Sequence, residues 1–261
     1  MNFLTCRSLF LILLLGACVQ AETIQVYLIG GQSNALGHAR AADLPAGWRS
    51  PQPDVFYNFN QTTGPLAPRE TFGPEVSFGR SMADFYKPQG KKVALLHFAV
   101  GATDLFDDWY PDGTGTTADD GEIYRRFQKS IAFGMRALKK ANPSATIVMA
   151  GMLWMQGESD ALANRKDYAV NLSRFITDIR LTYGATLPFF IGQLSLNQTA
   201  IPPTALEMIR KAQADVAATI PRVHLINTDA LPVMMDRIHF NATGQIALGL
   251  AFAQAARQTG R

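Results

Sequence analysis

The sequence predicts a three-layer α/β/α sandwich with a mainly parallel five-stranded sheet, of the flavodoxin-like kind. Three observations lead there: five short apolar runs, stretches of helical period between them, and polar, glycine-rich loops directly after the runs. The runs fall at residues 24–29, 93–98, 145–152, 189–193 and 223–227. They read as near-continuous apolar segments, the signature of strands buried on both faces. Amphipathic stretches at 75–86, 122–141, 167–183, 205–218 and 243–256 follow them in strict alternation. Strand–helix alternation builds a parallel sheet covered on both sides. The remaining long pieces, 38–74, 101–121 and 194–204, read as loops.

The chain of 261 residues is 48% hydrophobic and 17% charged, enough for one large core, so residues 22–261 are expected to form a single domain. Its net charge of +3 comes from 24 basic and 21 acidic residues with no concentrated basic run, which gives no footprint for nucleic acid. Residues 1–21 read as a signal peptide: Arg7, an apolar run at 9–15, then Val19-Gln20-Ala21 before the cut. The run is too short for a transmembrane helix, which needs roughly 18 residues. "LGAC" also resembles a bacterial lipoprotein box, in which Cys18 would carry a lipid anchor. Either way the protein is expected to be exported, periplasmic or secreted, or held at a membrane as a lipoprotein. Cys6 and Cys18 are the two cysteines, so the mature fold has no disulfide and no thiol nucleophile.

Open parallel sheets bind ligands beyond the carboxyl ends of their strands. There the sequence places "GGQSN" (30–34), "AVGATDL" (99–105), "LWMQGESD" (153–160) and "DALPVMMDRIHFNATG" (229–244). Ser33 is either a helix N-cap or a nucleophile. A nucleophile needs a base, an orienting group and oxyanion donors. Of the four histidines, His97 and His224 fall inside strands and read as core. His38 lies in a loop five residues after Ser33 and stays open. In "DRIHF" Asp236 stands three residues before His239, a spacing that lets the carboxylate reach Nδ1 and leaves Nε2 to take a proton. The alternative is a pair that only caps the last helix.

Together, "GGQSNALG", "FAVGATDL", "LWMQGESDA" and "DRIHFNATGQ" resemble the SGNH hydrolase superfamily, and within it the branch of sialate O-acetylesterase-like proteins and carbohydrate esterase family six, which includes acetylxylan esterases. The resemblance implies Ser33 as nucleophile, His239 as base and Asp236 as the acid that orients it. It implies an oxyanion hole of the Ser33 and Gly101 backbone amides and the Gln156 side chain. The superfamily's usual asparagine at that third place is a glutamine here, as in the branch. Where the branch more often has two glycines this chain has Gly101-Ala102.

Glu158 and Asp160 are expected to support Gln156 and the loops, with Glu158 as a competing triad acid. Gln32 and Asn34 either bind substrate or stabilise the loop. Trp109 and Tyr110 either offer flat surfaces to sugar rings or anchor their loop. The acids of "DLFDDWYPDGTGTTADDGE" miss the EF-hand spacing and read as a solvated loop. No histidine cluster suggests a metal, and no cofactor is implied. The expected function is a serine esterase that removes O-acetyl groups from carbohydrate, with acetylated xylan as first substrate and an O-acetylated sialic acid as alternative. A non-catalytic carbohydrate-binding or flavin-binding α/β protein is the reading from another class. Neither the P-loop lysine nor the G-x-G-x-x-G spacing is present to support it.

Overall fold

The computed structural model describes residues 22–115 and 119–259. The leader at 1–21, Cys18 included, lies outside the described residues. In chain order the elements are β1 (Thr23–Gly31), α1 (Ser33–Leu36), β2 (Ala39–Arg40), α2 (Ala46–Arg49), β3 (Gln52–Phe59), β4 (Thr62–Leu66), β5 (Thr71–Phe72) and α3 (Glu75–Tyr86). There follow β6 (Lys91–His97), α4 (Glu122–Ala141), β7 (Thr146–Met155), α5 (Glu158–Leu162), α6 (Tyr168–Tyr183), β8 (Phe189–Gly192), α7 (Pro203–Thr219), β9 (Val223–Ile226) and α8 (Ala242–Thr259).

The sheet has seven strands in the order β4-β3-β6-β1-β7-β8-β9. All neighbours pair in parallel except β3 and β4. The five expected strands are its centre and one flank; the other two correct the reading of 38–74 as loop. Pro53, Pro65 and Gly64 disguise them. Pro65 is tolerated because β4 is an edge strand, where a missing donor breaks no ladder. The hairpin turns at Asn60 and Gln61, both at positive φ (45° and 68°), as a two-residue turn matched to strand twist requires.

Successive strand residues point to opposite faces. Leu95 meets α3 at Gly79, and Leu96 meets α4 at Gly134, so α3 and α4 cover opposite sides of β6. α8 joins the α3 layer; a β-carbon at Gly249 would fall 2.2 Å from the Pro74 carbonyl oxygen, so that crossing requires glycine. α6 joins the α4 layer through an aromatic cluster in which Trp154 touches Phe175, ring centroids 4.5 Å apart. This packing brings the start of α8, and the loop before it, over the carboxyl end of β1.

His97, at the end of β6, is the core histidine the sequence implies. It is fully buried, its Nδ1 lies 2.8 Å from the Tyr57 hydroxyl, and burial, with help from nearby Arg69, pushes its imidazole down to about 3. In an unfolded chain the same ring gains its proton near the usual value of about 6.5. Its contribution is therefore fully present above about pH 6.5 and lost as pH falls toward about 3, because only the unfolded state binds the proton in that window. In urea titrations, His97→Gln should cost stability at pH 7 but noticeably less at pH 4; an equal cost at both would overturn this linkage.

Candidate active site

β1 ends in Gly31, whose φ of +133° and whose β-carbon position, 2.1 Å from the Met155 carbonyl oxygen, admit only glycine. The turn it makes delivers Ser33 as the first residue of α1. Gln32, not Ser33, occupies the N-cap position, and no side chain caps this helix, so the N-cap reading of Ser33 fails. Among the described residues no protein group accepts from the Ser33 or Gly101 backbone amide. The point where a β-carbon would project from Gly101 is 3.7 Å from the Ser33 β-carbon and 3.9 Å from His38 Nε2. A methyl group would fit there, so glycine is not needed for close approach; what Gly101 leaves is open space in front of Ser33. Ala102 takes φ +58°, a left-handed conformation costly for a residue with a β-carbon. It explains why glycine suits this place in the branch.

Asp236 and His239 sit in the loop before α8. Asp236 Oδ2 lies 2.8 Å from His239 Nδ1, while its Oδ1 accepts the backbone N–H groups of Ile238 (2.9 Å) and His239 (3.0 Å). Partial burial raises the carboxyl, but these bonds from His239 and Ile238 outweigh it and hold Asp236 below the usual carboxylate range. The pair does not cap the helix: Asn241 Oδ1 accepts from the Gly244 N–H at 3.0 Å and does so itself. The His239 ring lies flat against that of His38, centroids 4.5 Å apart and planes 8° from parallel. A continuous patch thus runs from Ser33 through Gly101 and His38 to His239 and Asp236.

Asn34 latches the loop of the base to the turn of the serine. Its Oδ1 accepts the Phe240 N–H (2.9 Å), and its Nδ2 donates to the Ile238 carbonyl (3.1 Å) and Glu158 Oε1 (2.7 Å). Gln198 duplicates two of these links, to Glu158 (3.0 Å) and Ile238 (2.9 Å). No pattern in the 194–204 loop marks Gln198 in the sequence. Glu158 is buried beneath both loops, and burial raises its carboxyl against the bonds from Asn34 and Gln198. With Asp236 on His239 Nδ1, Glu158 takes the supporting place. Gln32 is a brace rather than a substrate contact: it is buried, and its Oε1 accepts from the Gly157 and Ser159 N–H groups, both at 3.2 Å.

Gln156 departs from the expected donor set. It is fully buried, and its Nε2 faces Asp160 Oδ2 (2.5 Å), the Thr103 carbonyl (3.1 Å) and Gln32 Oε1 (3.3 Å). Three acceptors exhaust its two hydrogens. Turning the amide over would set its oxygen against the Asp160 carboxyl, which also accepts the Leu105 N–H. Burial raises Asp160 to about 7 in spite of these bonds. In this arrangement Gln156 ties the three loops together, and the two free donors are the amides of Ser33 and Gly101.

Trp109 takes the second of its two readings. It is fully buried, donates Nε1–H to Thr103 Oγ1 (2.9 Å) and packs edge-on against Trp154 at 5.0 Å. It anchors the loop and offers no face to a sugar. The acidic loop is not wholly solvated either. Asp120 and Asp178 are buried, and with Asp112 they set carboxylate oxygens within 4.8 Å of one another, the one such acidic group among the described residues. Asp178 accepts from the Tyr124 hydroxyl (2.5 Å) and the Gly115 N–H (2.8 Å), and Asp120 from the Asp112 N–H (2.9 Å) and the Gln128 amide (3.1 Å). These bonds fasten the loop to α4 and α6. His224, half-buried, stacks on Phe190 at 5.2 Å and belongs to the packing.

With this geometry in view, comparison with known proteins is decisive. The family model described as carbohydrate esterase, sialic acid-specific acetylesterase, matches residues 23–258. The chain belongs to this family. A probable carbohydrate esterase of Arabidopsis thaliana is 26% identical over 185 residues, 70% of this chain. The aligned part spans 62% of that relative's length. The solved structure of that plant protein superposes with a TM-score of 0.72 at 18% identity, covering 90% of this chain and 98% of the other. NanS gives 0.66 at 16% identity, covering 93% and 99%. A carbohydrate acetylesterase from Xanthomonas citri gives 0.68 at 17%, covering 91% of this chain and 57% of its own. At these identities the structures establish a shared fold.

Removing the Asn34 latch leaves the buried Phe240 N–H without a partner and Glu158 with one donor fewer. Asn34→Ala should lower unfolding stability by about 2–3 kcal/mol, read from the urea midpoint. A loss under about 0.5 kcal/mol would show that Gln198 holds the loops alone.

Proposed function

We propose that this chain is a serine esterase that removes O-acetyl groups from carbohydrate through an acyl-enzyme on Ser33. The observation that carries the reading is the Asp236–His239 pair, bonded at 2.8 Å, on a loop that Asn34 latches to the turn bearing Ser33. Asp236 fixes the proton on Nδ1, so Nε2 is the basic edge of the ring. The Ser33 oxygen attacks the acetyl carbonyl carbon while His239 Nε2 takes its proton. Negative charge forms on the former carbonyl oxygen and meets the amides of Ser33 and Gly101. Collapse breaks the bond to the sugar oxygen, which leaves with the proton from His239, and acetyl-Ser33 remains. Water then attacks the acetyl group as His239 takes one of its protons, acetate departs, and the proton returns to Ser33.

Acetylated xylan is the first substrate in this reading, and an O-acetylated sialic acid is the second, favoured by the description of the family that matches the chain. The leader at 1–21, cut after Ala21 or lipidated at Cys18, would place the enzyme outside the cytoplasm, where such polymers are met. No helix among the described residues is long and apolar enough to cross a membrane.

The test is acetate release from acetylated xylan and, in parallel, from O-acetylated sialic acid, by the protein and its Ser33→Ala variant. Ser33→Ala should lose about 10³-fold or more in kcat while melting like the parent. Full retention would overturn the nucleophile, and the better of the two substrates settles the class.

A further inference from the structure

His38 takes no part in the mechanism above, yet it covers one face of the base. Its ring and that of His239 are 4.5 Å apart and 8° from parallel, an arrangement in which two flat rings restrict each other's tilt. His38 is also held in place from behind. Gly37, at φ +87°, lies so close to β5 that a β-carbon there would fall 2.1 Å from the Gly73 nitrogen. Directly after His38, β2 pairs with β5, Ala39 opposite Phe72 and Arg40 opposite Thr71. One edge of the His239 ring is fixed by Asp236, but a single hydrogen bond leaves rotation about its axis free. A stacked neighbour set directly before a paired strand restricts that freedom. We propose that His38 is a positioning residue for the base, its imidazole stacked on His239 so that Nε2 stays aimed at the Ser33 side of the site. The inference rests on the esterase reading.

The charged groups around the pair are Asp236, on the Nδ1 edge of His239, and Glu158, buried beneath the loops. Burial, then the nearness of His239, holds His38 below the usual imidazole range against the pull of Asp236. The stack thus covers one face of the His239 ring.

The experiment compares H38A, H38L and H38F with the parent and with S33A, on a small aryl acetate from pH 5 to 8.5, with melting curves for each. A lost brace shows in kcat, not in substrate binding: H38A and H38L should lose about 5- to 20-fold in kcat with KM within about twofold. H38F, which restores a flat ring, should recover most of that loss. If H38A melts early, the H38L and H38F pair decides, since both fill the space and one is planar. Parent-like kcat in all three, or H38F as impaired as H38L, would overturn the proposal. An inactive S33A beside parent-like His38 variants sinks this inference alone, whereas an active S33A sinks the esterase reading and this inference with it.

Discussion

The site depends on one side chain that does no chemistry, the amide of Asn34. Ser33 and His239 come from opposite ends of the chain, and in the proposed mechanism their mutual geometry must hold to a fraction of an ångström for proton transfer. Neither the sheet nor α8 alone supplies that precision, because the loop from Val233 to Phe240 stands outside the sheet and pairs its own backbone only in one bridge and a turn from Met234 to Arg237. Asn34 is rigid by virtue of its place in the α1 turn, and it reads the loop at two backbone positions, Ile238 and Phe240, on either side of His239. His239 is thus clamped from both flanks by the residue next to Ser33. Asn34 is fully buried, so the clamp operates where an unpaired amide would be costly.

The layers of the fold were legible because buried strands and amphipathic helices leave strong periodic marks. The spans 75–86 and 122–141 coincide with α3 and α4, and the remaining elements differ by a few residues at their ends. β3 and β4 were hidden because an edge hairpin needs neither continuous apolarity nor freedom from proline. The site divided along a similar line. Ser33, Gly101, Asp236 and His239 are short-range features of loops at strand ends, and motifs record them. Which way a buried amide turns is decided by partners more than a hundred residues away, as when Gln32 meets Gln156 and Asn34 meets Glu158. One sequence carries no mark of such pairings, and the link from Gln156 to Gln32, 124 residues away, is one of them. His38 was left open for the same reason: only the fold lays its ring on that of His239.

Three carboxylates of the site are sorted by environment, not by residue type. Asp236 is half exposed and meets two backbone N–H groups and an imidazole, so it stays ionised and serves as a fixed negative partner. Glu158 and Asp160 are buried, and both are raised. Both act as hydrogen-bonding hubs that gather amides and N–H groups from separate loops. In the proposed mechanism Asp236 is the carboxylate on the axis of the base, bonded to His239 Nδ1 where it would stabilise an imidazolium, while Glu158 and Asp160 hold the loops that carry Asn34, Gln198 and Gln156.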